Sequence, residues 1–305
     1  MRHMTNKALL SSVLLMAIVF GSISSVFAQQ DETATEPDNM FAEILQFGRL
    51  ANAAYANRAA IEKTVAAQGY VLTHYANLPK LQVSYYLASD DKNRTQTIAI
   101  RGTSNVENAL VDIAIQLIKS DNSEVLLHNG FAVSAQGIYN DIKPKLNKQY
   151  KIRTTGHSLG GAVAAVLAMY LKNDGYQIER VVTFGQPKVT NFGGSRILDK
   201  LEIWRVVTSG DLVPLVPPLE MADINNLNIY WHSGREIILL EGKQYSVTSG
   251  VESMLRATKF LAQPLSEKNL RHHQMSYYLA LIEAKISDAQ WIPYKNDLSI
   301  FLPNW

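Results

Sequence analysis

Lys151-Ile152-Arg153-Thr154-Thr155 runs into Gly156-His157-Ser158-Leu159-Gly160 and then into Gly161-Ala162-Val163-Ala164-Ala165-Val166-Leu167-Ala168. This stretch constrains the fold more than any other: a strand, one tight turn and a helix, with a serine at the turn. A serine on so sharp a strand-to-helix turn needs neighbours two positions either side that carry no Cβ, and Gly156 and Gly160 supply them. The helix starts directly after Ser158, so its free N–H groups and positive dipole end lie beside the serine oxygen. The turn thus offers a candidate nucleophile and a donor for negative charge developing next to it.

The rest of the chain alternates in the same way. Helical spacing covers 40–55 and 58–68, and β-rich runs cover 70–75, 81–87 and 96–101, predicting an antiparallel opening followed by parallel strands. Helices near 105–119, 131–147 and 158–172 then alternate with strands at 150–155, 180–184 and 202–208. That alternation predicts an α/β fold, a mostly parallel central sheet with helices on both faces and sites at the carboxyl ends of its strands. Runs 228–233 and 235–240 are close enough to pair as a hairpin through Ser233-Gly234. Residues 243–268 read as a short strand and a helix with no assignable role.

Composition narrows the class. Arg2 and Lys7 precede an apolar run from Ala8 to Phe20 and small residues ending at Ala28, the layout of a secretory signal peptide cleaved near Ala28. These are the only charged residues of that leader, so removing it takes the balance from 29 basic against 27 acidic to 27 against 27. A near-neutral chain gives no electrostatic reason to bind nucleic acid. The chain has no cysteine, which removes disulfides, thiolate metal sites and a cysteine nucleophile. Residues 29–39 are polar and acidic and read as a flexible leader, and 40–305 as a single domain.

A serine hydroxyl attacks well only when a positioned histidine takes its proton and a carboxylate holds that imidazole. His157 sits where the turn aims its side chain away, His74 and His232 lie in β runs, and His272 and His273 come late, before a helical run 275–284. In α/β hydrolases the acid follows the nucleophile and the histidine comes last, so both His272 and His273 fit the base. Asp211, after the strand 202–208, fits the acid. Thr103, in Arg101-Gly102-Thr103-Ser104 after an earlier strand, is a candidate second oxyanion donor.

These residues together resemble the class 3 lipase family, α/β hydrolases typified by fungal triacylglycerol lipases. The marks are Arg101-Gly102-Thr103 with Asn108 and Asp112, His128-Asn129-Gly130-Phe131, Gly156-His157-Ser158-Leu159-Gly160-Gly161, Thr183-Phe184-Gly185-Gln186-Pro187, Asp211-Leu212-Val213-Pro214 with Pro217-Pro218, and His273-Gln274-Met275 with Tyr278. The resemblance implies Ser158 as nucleophile, Asp211 as acid, His273 as base, and the N–H groups of Thr103 and Leu159 as oxyanion hole. His272 departs from the family, which usually has an acidic residue there. The resemblance also implies a helical lid at 105–119, where Val106, Leu110, Ile113 and Leu117 share one helical face.

The expectation is an exported serine hydrolase of acylglycerol or other lipid carboxylic esters, working through an acyl-enzyme at a lipid–water interface. It needs no cofactor, metal or nucleic acid, and keeps no stable membrane anchor after cleavage. A phospholipase or short-chain carboxylesterase on the same site, a peptidase, and a catalytically silent lipid-binding protein with this fold are the alternatives.

Overall fold

Neighbouring residues along the central strands face two different apolar layers, which is the period-2 signature of a sheet covered on both faces. Val181 and Ile203 join one cluster with the helices α3 (Asn129–Ile142) and α4 (Leu159–Asn173). Their successors Val182 and Trp204 join a second cluster with α1 (Pro37–Ala53) and α8 (Met275–Glu283). Leu50 and Ala53 of α1 continue that layer onto α2 (Arg58–Ala66), where they pack with Ile61 and Val65. The computed structural model describes residues 37–103, 127, 129–217, 229–256 and 266–294, all within the compact unit Pro37–Tyr294.

The strands are β1 (Val71–Leu78), β2 (Val83–Asp90), β3 (Thr95–Ile100), β4 (Lys151–His157), β5 (Ile178–Phe184), β6 (Thr190–Asn191), β7 (Ile203–Thr208), β8 (Tyr230–Trp231), β9 (Arg235–Leu239), β10 (Gln244–Thr248) and β11 (Gln290–Trp291). Nine of them form one sheet in the order β1-β2-β3-β4-β5-β7-β9-β10-β11. β1 to β3 pair antiparallel, β3 through β9 are parallel, and β10 returns antiparallel to β9. The expected antiparallel opening and parallel centre are both present. The remaining helices are α5 (Phe192–Leu198), α6 (Gly250–Arg256) and α7 (Glu267–His272).

Two expectations need correction. The hairpin between 228–233 and 235–240 does not form: β8 pairs with β6 in a separate two-stranded sheet, and β9 lies parallel to β7. Ile237, Ile238 and Leu239 are buried in succession, and a run buried on both faces needs an interior place in a covered sheet, which a two-stranded hairpin does not offer. The hairpin partner of β9 is β10. The first helix begins at Pro37 instead of Met40, because proline's fixed φ suits a helix's first turn and its missing N–H would be unpaired there anyway. The short strand β11 follows the late histidines.

Of the stretch 243–268, residues 257–265 lie outside the described residues, and 243–256 gain a place. They supply β10 and then α6, whose Arg256 is buried with its Nη1 2.9 Å from Oε1 of Glu236 on β9. Among the described residues no helix is long and apolar enough to cross a membrane. The leader at 1–28, most of the polar segment 29–39, the lid expectation at 105–119, His128, Pro218 and the tail 295–305 lie outside the described residues.

Candidate active site

β4 ends at His157 and α4 begins at Leu159, leaving Ser158 alone between them at φ 58, ψ −131. A serine at positive φ costs about 1–3 kcal/mol and persists only where its surroundings hold it. Here the Ser158 N–H donates to the Phe184 carbonyl (2.9 Å) and its carbonyl accepts from Gly161 N–H (3.0 Å). The flanking glycines allow the close approach. A Cβ on Gly160 would lie 2.3 Å from the Ile100 oxygen and 2.8 Å from the Gly102 nitrogen, and one on Gly156 would lie 2.4 Å from the Gly160 oxygen. The turn after β3 is thereby pressed against the serine: a Cβ on Gly102 would lie 3.3 Å from Ser158 Cβ. Thr103 follows at the exposed rim of that turn. As the first residue of α4, Leu159 has an N–H with no acceptor inside the helix.

Asp211 lies three residues past the end of β7, and His273 caps α7 just before α8. The two loops are strapped together: Thr208 Oγ1 donates to the His272 carbonyl (3.0 Å), and Asn269 Nδ2 donates to the Gly210 carbonyl (2.8 Å). His273 Nδ1 stands 2.8 Å from Asp211 Oδ2. The same oxygen accepts from the Tyr278 hydroxyl (2.5 Å), and Oδ1 accepts from Val213 N–H (2.9 Å). Burial pushes the Asp211 carboxyl up, but His273, Tyr278 and the Val213 N–H outweigh it and leave it below the ordinary carboxylate value. Asp211 is therefore an acceptor, His273 Nδ1 is the donor, and in neutral imidazole Nε2 is left as the acceptor.

Ser158 Oγ and His273 Nε2 are both buried, and neither has a hydrogen-bond partner among the described residues. The expected hydrogen bond between them is thus not made in this conformation, while the aspartate side of the arrangement is complete. Such contacts are often long without substrate and tighten when it binds. Ser158, Asp211 and His273 are each only 1% exposed, and all follow the carboxyl ends of strands or the loops strapped to them.

The structure separates the two late histidines. His272 packs its ring on Tyr277, with centroids 4.6 Å apart, and lies against Gly210. It makes no bond to Asp211, whereas His273 does.

The reading of His157 needs correction as well. Its side chain is not idle: the ring lies against that of His273, centroids 4.4 Å apart, and Nε2 is 2.7 Å from the His273 carbonyl. Its Nδ1 is 2.8 Å from the Tyr55 hydroxyl. Sequence reading passed over both residues. Nothing local marks Tyr55, which ends the first helical segment a hundred residues away from its partner.

Residues 97–221 match the profile of the family described as Lipase (class 3). The chain is 29% identical over 178 residues to the secreted mono- and diacylglycerol lipase 1 of Fusarium solani, covering 55% of this chain and 52% of that protein. It is 33% identical over 169 residues to a lipase of Rhizopus niveus, covering 49% and 41%. The chain thus spans about half the length of the curated relatives it matches. The solved Lip2 lipase of Yarrowia lipolytica superposes with a TM-score of 0.55 at 29% identity, over 66% of this chain and 80% of that one. With these likenesses the sheet and its two helical layers are the α/β-hydrolase fold. The profile runs from β3 through the Gly102 turn and Ser158 to just past Asp211, so the match to the class 3 lipase family spans the stretch that carries the candidate nucleophile and acid.

Proposed function

We propose that this chain is a serine hydrolase of carboxylic esters, with acylglycerols as the substrate class and export after loss of a leader near Ala28. One observation carries the reading: a buried Asp211–His273 pair holds the imidazole by Nδ1 and leaves its buried Nε2 without a partner among the described residues, as is also the buried hydroxyl of Ser158 at the start of α4. The substrate class and export follow the relatives, one of which is named as a secreted mono- and diacylglycerol lipase.

Ser158 Oγ attacks the ester carbonyl carbon while His273 Nε2 takes its proton, and the carbonyl oxygen becomes an oxyanion facing the N–H groups of Leu159 and Thr103. Each such donor is worth roughly a hundred- to a thousandfold in rate. Asp211 stabilises the imidazolium. As the tetrahedral species collapses, Nε2 passes its proton to the departing alcohol and the acyl group stays on Ser158. Water activated by the same histidine then releases the acid.

The test is chemical. Purified protein is expected to hydrolyse a chromogenic medium-chain fatty-acid ester and to take up a fluorophosphonate probe, with the tag located on Ser158 by peptide mass spectrometry. Hydrolysis without a tag on Ser158, or no reaction with either reagent, overturns the proposal. The same probe separates the histidines: labelling is expected to be lost in His273→Ala and kept in His272→Ala. The reverse pattern would move the base to His272.

A further inference from the structure

Between the turn that carries the oxyanion donor and the turn that carries the base runs a chain of hydrogen bonds whose direction can be worked out atom by atom. The His273 carbonyl only accepts, so His157 Nε2, 2.7 Å away, carries a proton and donates. Burial, with the neighbouring His273 second, lowers the His157 pKa to about 3, so the ring is neutral and its Nδ1 is an acceptor. The Tyr55 hydroxyl, 2.8 Å from that nitrogen, therefore donates its proton to it. The Tyr55 oxygen also lies against the turn after β3, 2.5 Å from where a Cβ on Gly102 would be. The two links thus run one way, from the Tyr55 hydroxyl to His157 Nδ1 and from His157 Nε2 to the His273 carbonyl.

We infer that Tyr55 and His157 are positioning residues, forming a tie that holds the Gly102-Thr103 turn and the His273 backbone at fixed distances from Ser158. The inference rests on the hydrolase reading above. Neither side chain touches the reacting atoms in this scheme. Tyr55 acts on the donor turn through Gly102, and His157 acts on the base through the His273 carbonyl and through ring contact. The tie is anchored at Ser158 itself, since His157 is the preceding residue and its own carbonyl sits against Gly102. A misplacement of about 1 Å at a reacting group costs on the order of a hundredfold, which sets the scale expected for cutting the tie.

The experiment compares Tyr55→Phe, His157→Leu, His157→Gln and the Tyr55→Phe/His157→Leu double variant with the wild-type protein. It measures kcat and KM on a soluble chromogenic ester, the rate of fluorophosphonate labelling, and Tm. Tyr55→Phe and His157→Leu are expected to lower kcat and labelling about 10- to 100-fold, with KM nearly unchanged. His157→Gln, which keeps a donor for the His273 carbonyl, should recover part of the loss. The double variant should be no slower than the slower single variant, because both substitutions cut one series. Wild-type kcat in Tyr55→Phe and in either His157 variant would overturn the inference, as would losses that multiply in the double variant. If His157→Leu does not fold, Tyr55→Phe and His157→Gln decide the matter alone. An unreactive wild-type protein instead overturns the hydrolase reading, and the tie falls with it.

Discussion

Asp211→Asn is expected to lower kcat on the order of 10⁴-fold while the protein stays folded and the KM for a soluble ester stays close to wild type. The size of the effect follows from which way the asparagine must sit. Val213 N–H is a backbone donor fixed on Oδ1, so the amide oxygen has to take that position and the amide nitrogen falls where Oδ2 was. That nitrogen then donates to His273 Nδ1, which is 2.8 Å away in the wild type. The imidazole answers by placing its proton on Nε2, where it can no longer accept one from Ser158. The Tyr278 hydroxyl, also on Oδ2, can rotate away, so the fold is not what fails. The check is kcat, KM and Tm measured on one preparation. A loss below about tenfold would mean that Asp211 does not set the tautomer.

The parts of the site that were legible in the sequence are those whose reason is local or ordered along the chain. Ser158 declares itself because the glycines that permit its turn are two residues away on either side. Asp211 and His273 follow from position relative to strands, although spacing alone left His272 equal to His273. The bond to Asp211 is a tertiary fact. Tyr55 and His157 were missed for the same reason, since their partners lie on loops far away in the sequence. The fold shows the same division. Alternating periods gave the parallel centre, but β8 and β9 were joined as a hairpin because two adjacent β runs look alike whether they pair with each other or part. Only the unbroken burial of Ile237 to Leu239 tells them apart. Glu236, next to that run, is a carboxylate, a group almost never fully buried unless it is paired. It is fully buried.

Glu236→Gln is accordingly expected to be among the most destabilising conservative substitutions in the protein. Arg205 of β7 and Glu236 of β9 are register partners. Glu236 Oε1 stands 3.4 Å from Arg205 Nη1 and 2.9 Å from Arg256 Nη1, while Oε2 accepts from Thr248 Oγ1 at 2.9 Å. Arg205 also donates to the Ser233 carbonyl and to Ser253 Oγ, each at 2.8 Å. One carboxylate thus faces two buried guanidinium groups. Glutamine keeps the shape and removes the charge, leaving both cations uncompensated at a cost of about 3–5 kcal/mol, read as a fall in Tm of roughly 6–20 °C. The pH dependence has a definite sign. Burial raises the Glu236 carboxyl, but Arg256 and Arg205 pull it below the ordinary value in the folded protein. Its stabilisation is therefore complete above the ordinary carboxylate range and is lost as pH falls through the folded value. Wild type and Glu236→Gln should differ fully at pH 7 and converge in acid, where the wild-type carboxyl takes up a proton. Denaturant titrations at both pH values test this. A difference at pH 7 under about 1 kcal/mol, or one that widens in acid, would show that the charge on Glu236 is not what offsets the two arginines.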